Sequence, residues 1–151
     1  MKWLLDTNVV SESSKQRPAR SVIEWLRARS IEDLAISIVT FAELLEGAQS
    51  SRDETQRQKL TGWVESEVSS IFRERTLPLD IDVLTDWLLL SRQLRNRGQS
   101  RDASDLLIAA TARVYALTLV TRNIRHFSNT GIVIYDPWSG KSHVMEAPDA
   151  R

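Results

Sequence analysis

The segment at residues 1–12, MKWLLDTNVVSE, contains a short apolar run that stops at a carboxylate. The apolar letters WLL are followed directly by Asp6 and then by two more polar residues. A run of this kind predicts a buried strand of a parallel sheet, with one acid at its exposed end. Asp6 taken alone is equally compatible with a cap on the turn after that strand, since Asp, Thr and Asn are ordinary turn residues.

The size and composition of the chain restrict the kinds of site that it can contain. Its 151 residues suit one domain, which buries roughly two-thirds of its unfolded surface. The absence of cysteine excludes disulfides, thiolate zinc sites and cysteine nucleophiles. With only two histidines, His126 and His143, a metal would be held mainly by oxygen, which favours hard ions such as Mg²⁺ or Mn²⁺.

The charges of the chain balance, with 20 basic and 20 acidic residues. Sixteen of the basic residues are arginine and four are lysine, and arginine is the better ligand for phosphate and for carboxylate. The sequence has neither a basic segment followed by an apolar leader nor an apolar run of about 18 residues. We therefore expect a cytoplasmic protein that does not contact a membrane.

Short apolar runs alternate with longer stretches of helical period, which is typical of a parallel sheet covered by helices. The pattern predicts a three-layer α/β/α fold with a central parallel sheet of four to five strands. The predicted strands are 2–5, 34–36, 75–79, 117–121 and 132–135, and the predicted helices are 19–29, 38–49 with Ser37 as the cap, 54–72, 81–97 and 104–115. On the fourth helix, Leu84, Trp87, Leu88, Ser91 and Leu94 share one stripe. We expect one domain at residues 1–138 and a flexible C-terminal tail at residues 139–151.

Ligands of open parallel sheets bind beyond the carboxyl ends of the strands. Asp6 ends the first predicted strand, Glu43 lies in the second helix, Asp105 begins the fifth helix, and Asn123 follows the fourth strand. If the two helices start at the same sheet edge, these four side chains face one pocket. Three carboxylates in one pocket repel one another unless they are protonated or neutralised by a divalent cation.

Each of these residues also has a simpler interpretation. Glu43 lies beside the apolar stripe of its helix, where a glutamate is usually solvated. The helix dipole favours Asp105 in a first turn, and Asn123 is a common residue for closing a turn. We interpret Asp102 as a cap or loop residue and His126 as a partly exposed loop histidine.

Four strings in order along the chain resemble the PIN-domain ribonucleases, in particular the VapC-type toxins of bacterial toxin–antitoxin pairs. They are LLDTNVVSE near the start, SIVTFAELLEG, DASDLLIAATA, and LTLVTRNIRHF followed by VIYDPW. The resemblance implies a Mg²⁺-dependent endoribonuclease, with Mn²⁺ as an alternative ion. It implies that Asp6, Glu43 and Asp105 are the metal ligands, and that Thr7 and Thr121 hydrogen-bond to them.

The sequence departs from the family pattern after the fourth strand. Many relatives carry a fourth acid there, at the position of Asn123 or at that of His126. Asn123 offers a carbonyl oxygen, or orients water at the site, but it adds no negative charge. We therefore expect one tightly bound ion, with a second recruited by substrate.

The remaining expectations concern partners and alternative functions. Arginines flank the proposed acids and are candidates for contact with the RNA backbone: Arg95, Arg97, Arg101, Arg122 and Arg125. The resemblance implies a cognate antitoxin that inserts a peptide into the acidic groove, and a homodimer. Two alternatives stay open. One is an inactive PIN-like protein that binds RNA or a partner, which Asn123 favours, and the other is a phosphoaspartate phosphatase or receiver domain using Asp6 or Asp80.

Overall fold

Six strands form one mixed sheet in the order β3-β2-β1-β4-β5-β6. The structure is a computed structural model, and it describes residues 1–148. The strands are β1 (Trp3–Leu5), β2 (Leu34–Ser37), β3 (Thr76–Leu77), β4 (Thr118–Val120), β5 (Val133–Asp136) and β6 (Lys141–Val144). Strands β1 to β5 pair in parallel, and β6 runs antiparallel to β5. The five predicted strands are all present, each with its ends within two residues of the prediction.

Helices cover both faces of this sheet. Within residues 1–148 the α-helices are α1 (Thr7–Glu12), α2 (Arg20–Arg27), α3 (Ile38–Gln49), α4 (Glu54–Gly62), α5 (Ser69–Ile71), α6 (Ile81–Asn96) and α7 (Ala103–Val114). A π-helical segment, Trp63–Val68, joins α4 to α5, and short 3₁₀ helices occupy Ile31–Asp33 and Ile124–Phe127. No helix in the described part of the chain is long and apolar enough to cross a membrane.

Leu4 and Leu5 show how the first strand organises the two cores. Successive side chains of a strand point to opposite faces. Leu4 accordingly packs in the cluster that contains residues of α6 and α7, whereas Leu5 packs in the cluster formed with α1, α2, α3 and the π-helical segment. Both leucines are almost fully buried, and burial of each stabilises the fold by about 1.5–3 kcal/mol. The α/β/α layering predicted from the sequence is confirmed.

The C-terminal segment corrects the prediction of a flexible tail at residues 139–151. Residues Lys141–Val144 form β6, which pairs with β5 over four residue pairs. Gly140, at φ 71°, closes the connection by donating its backbone N–H to the Asp136 carbonyl. The Asp136 carboxylate also accepts hydrogen bonds from the Trp138 backbone and the Ser139 hydroxyl. Strand β6 is mostly exposed and has no apolar alternation, so the turn residues before it determine that it forms. Residues 149–151 of the predicted tail lie outside the described residues.

Two details of the helices also differ from the predictions. Helix α1 was not predicted, since the polar triplet after β1 reads as a turn, yet Asp6 caps a helix that buries Val9 and Val10. On α6, Leu84 and Leu88 are 42% and 51% exposed, although the sequence places them on the apolar stripe. The buried positions of α6 are Val83, Leu90 and Leu94.

Candidate active site

Asp6 lies at the carboxyl end of β1, where its backbone N–H donates to the carbonyl of Val120 on the neighbouring β4. Its carboxylate is 5% exposed. It accepts hydrogen bonds from the Thr7 backbone at 2.8 Å, the Thr121 hydroxyl at 2.7 Å and the Asn8 amide at 3.1 Å. Burial raises the pKa of Asp6, as does the charge of Glu43, whereas the three hydrogen bonds oppose that rise. Asp6 therefore has a capping role, on a helix and not on the turn of the simpler interpretation, and is also a member of an acidic cluster.

Glu43 comes to the same place from the helix that follows β2. Ser37 ends β2 and caps α3 by accepting from the Val39 backbone at 3.1 Å, so α3 starts at the carboxyl edge of the sheet. The Thr7 hydroxyl then donates a hydrogen bond to Glu43 Oε2. Glu43 is half-buried, not freely solvated. Thr7, predicted to hydrogen-bond a ligand carboxylate, contacts Glu43.

Asp105 enters from the first turn of α7. This helix leads into β4 and runs back along the sheet, so its start lies at the carboxyl edge. Asp102 caps the helix, accepting from the backbone and hydroxyl of Ser104, as its simpler interpretation predicts. Burial raises the pKa of Asp105 to about 6, and the charges of Asp6 and Glu43 act in the same direction. The three carboxylates therefore share one electrostatic environment.

Thr121 and Asn8 fix the position of Asp6. Thr121 is fully buried. Its hydroxyl donates to Asp6, accepts from the Asn8 amide at 2.9 Å, and accepts from the Asn123 backbone at 3.1 Å. Asn8 was not identified from the sequence as a site residue. Its position two residues after Asp6, in the first turn of α1, is the feature that could have identified it.

Asn123 and His126 lie in the segment after β4. Asn123 is half-buried beside Thr121 and precedes the 3₁₀ helix Ile124–Phe127. His126 Nδ1 lies 3.2 Å from Asp105 Oδ2, and its side chain is 55% exposed. The sequence interpretation of His126 as an unpartnered loop histidine is therefore incomplete. The partner is 21 residues away in the chain, and no local pattern connects the two.

The five candidate arginines have different surroundings. Arg122 lies over the Trp138 ring at 5.1 Å, and Arg125 is exposed on the 3₁₀ helix. Arg95 and Arg101 line a cleft between α6 and α7, and Arg97 is exposed at the end of α6. Contact of any of them with RNA stays a prediction.

Asp80, the alternative phosphoacceptor, has a structural role. Its carboxylate caps α6 through the Val83 backbone and accepts from the Tyr115 hydroxyl at 2.7 Å. These hydrogen bonds, with that of Tyr115 the strongest, lower the pKa of Asp80. Asp80 lies before α6, and these hydrogen bonds direct its carboxylate to Val83 and Tyr115 and not to the acids around Asp6.

The side chains around Asp6 have the chemistry that a hard divalent cation requires of its ligands. The convergent groups are carboxylate oxygens, with threonine hydroxyls and asparagine amides around them, which are the donors that Mg²⁺ and Mn²⁺ prefer. A cation would also offset the burial and the neighbouring negative charges that raise the pKa of Asp105. In residues 1–148 no group of three or more acidic or histidine side chains is preassembled as a coordination site. The acids would have to close around an ion.

Comparison with known proteins shows the family of this chain. The model of the PIN domain family matches residues 3–133. Toxin FitB of Neisseria gonorrhoeae is 32% identical over 89% of this chain and 97% of its own length. VapC ribonuclease Y4jK of Sinorhizobium fredii is 35% identical over 89% of this chain and 96% of its own.

Solved structures agree with the sequence comparison. The crystal structure of FitAcB from Neisseria gonorrhoeae matches with a TM-score of 0.83 and 32% identity, covering 90% of this chain and 98% of the other. VapBC-5 of Mycobacterium tuberculosis, a member of the VapBC family of toxin-antitoxin systems, matches with a TM-score of 0.60 and 26% identity, covering 83% of this chain and 87% of the other. The residues matched by the family model, 3–133, include Asp6, Glu43 and Asp105.

Proposed function

This chain belongs to the PIN domain family, and we propose that it is an endoribonuclease toxin that a cognate antitoxin neutralises. The toxin cuts RNA with the help of Mg²⁺ bound by Asp6, Glu43 and Asp105. The observation that carries the proposal is the convergence of these three carboxylates, from β1, α3 and α7, on one edge of the sheet. Burial, together with the charges of Asp6 and Glu43, raises the pKa of Asp105 to about 6, and a site of this kind is suited to a dication. The two relatives described above are named as a toxin and as a ribonuclease.

The proposed roles follow from the contacts of each residue. Mg²⁺, or Mn²⁺ in its place, supplies neutralisation of phosphate charge and activation of water. Asp6, Glu43 and Asp105 hold the ion. Thr121 and Asn8 orient Asp6 through the hydrogen bonds described above, and Thr7 orients Glu43.

Asn123 completes the site without adding charge. It lies next to Thr121, where its amide is suited to accept or donate a hydrogen bond to water or substrate. With three carboxylates instead of four, we propose one tightly held ion and a second that arrives with the RNA. Because Asn123 lacks the negative charge of a fourth acid, it is also the residue that supports the alternative function, RNA binding without cleavage.

The exposed side chains around the acids are suited to RNA. His126, Arg122 and Arg125 all lie on the segment that follows β4, and arginine and protonated histidine bind phosphate. A toxin that acts on cellular RNA works in the cytoplasm, so that location is part of the proposal.

The antitoxin and a second copy of the chain are the proposed protein partners. A groove of about 280 Å³ adjoins Glu43 and is lined by apolar side chains that include Leu60 and Trp63. It is suited to an antitoxin segment with apolar residues and one basic residue that reaches the acids. Ile81, Leu84 and Leu88 form an exposed apolar stripe along α6, which is suited to a homodimer.

RNA cleavage by matched variants tests the proposal. We expect the purified protein to cut a structured RNA with Mg²⁺, and EDTA to abolish cutting. Asp6→Asn, Glu43→Gln and Asp105→Asn should each lower the rate by at least about 100-fold. Glu46→Gln, an exposed change one turn along α3 from Glu43, should leave it unchanged. RNA binding without cleavage under any Mg²⁺ or Mn²⁺ condition would instead support the inactive binding protein.

A further inference from the structure

The cleft between α6 and α7 contains an unusual set of polar atoms. It has a volume of about 350 Å³. Trp87 Nε1, Ser91 Oγ and Arg101 Nε are each buried and have no hydrogen-bond partner among residues 1–148, and all three side chains line this cleft. Buried polar groups are normally hydrogen-bonded, so three unpaired groups around one cleft indicate a place where a ligand supplies the partners.

The chemistry of the lining restricts the ligand. The indole and guanidinium N–H groups only donate, and the serine hydroxyl donates as well as accepts. Arg95 and Gln99 also line the cleft, and no acidic side chain of residues 1–148 does. A ligand that satisfies this lining is rich in acceptors and negatively charged, as a phosphodiester is.

The location of the cleft connects it to the acidic site. Arg101 immediately precedes Asp102, the cap of α7, and Asp105 lies in the first turn of the same helix. Ala103, the first residue of α7, lines the cleft. A polymer that lies across the start of α7 therefore reaches both the three carboxylates and the unpaired donors.

We propose that this cleft binds one nucleotide of the substrate RNA, next to the nucleotides that span the cleaved bond. Arg101 and Ser91 pair with the phosphate of that nucleotide, and the Trp87 N–H donates to an acceptor of its sugar or base. The proposal rests on the proposed ribonuclease function. The cleft volume is at the lower end of small-ligand sites, which suits a single nucleotide.

Binding of RNA by conservative variants tests the cleft separately from cleavage. The probe is a fluorescein-labelled single-stranded RNA of mixed sequence, measured by anisotropy in EDTA so that it is not cut. Trp87→Phe keeps an aromatic ring and removes the N–H, Ser91→Ala removes the hydroxyl, and Arg101→Gln removes the charge. Each should raise the Kd by about five- to tenfold. Arg92→Gln, an exposed arginine of α6 that does not line the cleft, is the matched control.

The salt dependence of binding separates the roles of the three side chains. Arg101→Gln should reduce the slope of log Kd against log salt concentration by about 0.7, as expected for one lost phosphate contact with a single strand. Trp87→Phe should leave the slope unchanged while still weakening binding. In cleavage assays with Mg²⁺ these variants should raise KM and leave kcat within about twofold.

The outcomes distinguish this proposal from the ribonuclease proposal. Cleavage by the unmodified protein together with unchanged Kd and KM in all three variants would overturn the cleft alone. Absence of cleavage together with weaker RNA binding in the variants would overturn the ribonuclease and retain the cleft as an RNA site. No RNA binding by the unmodified protein would overturn both. If Trp87→Phe altered the oligomeric state measured by light scattering and left the Kd unchanged, the cleft would be part of a contact between copies of the chain.

Discussion

The Thr121 hydroxyl donates a 2.7 Å hydrogen bond to the Asp6 carboxylate across the β1–β4 pair. The two residues are 115 positions apart in the sequence. Both side chains are buried, and the same hydroxyl accepts from Asn8. Two segments from distant parts of the chain thereby fix one carboxylate at the centre of the candidate site.

Thr121→Val should weaken both stability and cleavage. Valine keeps the shape of threonine but leaves the buried Asp6 carboxylate without one donor, so we expect a loss of about 1–3 kcal/mol in the free energy of unfolding. Urea denaturation measures this loss. Thr118→Val, at a half-buried position of β4, the strand that Thr121 follows, is the control, and equal effects of the two changes would contradict the role of the Thr121 hydroxyl.

Thr7→Val should slow cleavage without weakening RNA binding. The Thr7 hydroxyl donates to Glu43 Oε2, and loss of such a partner of a metal ligand typically costs about 10–100-fold in activity or metal affinity. Thr7→Ser keeps a hydroxyl and should restore most of the rate. A Thr7→Val protein that differs from the unmodified one only in KM would contradict this assignment.

The metal-free protein should become less stable as pH rises through the pKa of Asp105. This pKa is raised from 3.8 to about 6, so protonation of Asp105 favours the folded state. Its contribution is complete below about pH 3.8 and is lost above about pH 6. Asp105→Asn should therefore stabilise the protein at neutral pH by about 1 kcal/mol, allowing for solvent screening at this partly exposed carboxyl, and should change little near pH 4.

Urea denaturation in EDTA at the two pH values measures the effect of Asp105→Asn. A variant that is less stable than the unmodified protein at neutral pH would show that burial and the neighbouring charges do not disfavour the ionised Asp105 in the folded state.

His126→Ala should move the pH profile of cleavage upward. A nearby His126 lowers the pKa of Asp105, and loss of a partly exposed ion pair is worth at most about 1 kcal/mol. The midpoint of the profile should therefore rise by about 0.5. His143→Ala, on the edge strand β6, is the control, and identical profiles for both variants would show that the contact of His126 with Asp105 has no effect on the reaction.

Local patterns were sufficient to predict the sheet and most helices. The apolar run ending at Asp6 predicts a buried strand, and Leu4 and Leu5 alternate between the two cores as that strand requires. Ser37 is a helix cap in the sequence and in the structure. In contrast, β6 is stabilised by pairing with β5 and by the turn at Gly140, and its own residues have no apolar period.

The places of Asp6, Glu43 and Asp105 at one edge of the sheet follow from the predicted topology, whereas their role as metal ligands stays a prediction. The family resemblance, and not the spacing, implied that Thr7 hydrogen-bonds a carboxylate of the site, and the structure has Thr7 bonded to Glu43. The contact of His126 with Asp105 depends on how two distant segments pack, which spacing does not encode. The exposure of Leu84 and Leu88 was missed because an apolar stripe does not indicate which surface covers it.

Calorimetric titration of Mg²⁺ into the free protein tests the central claim most directly, since it requires neither RNA nor antitoxin. The account predicts one saturable site that is lost in Asp6→Asn, Glu43→Gln and Asp105→Asn and retained in Glu46→Gln. Mg²⁺ binding of equal affinity in the unmodified protein and in a variant lacking all three carboxylates would contradict it.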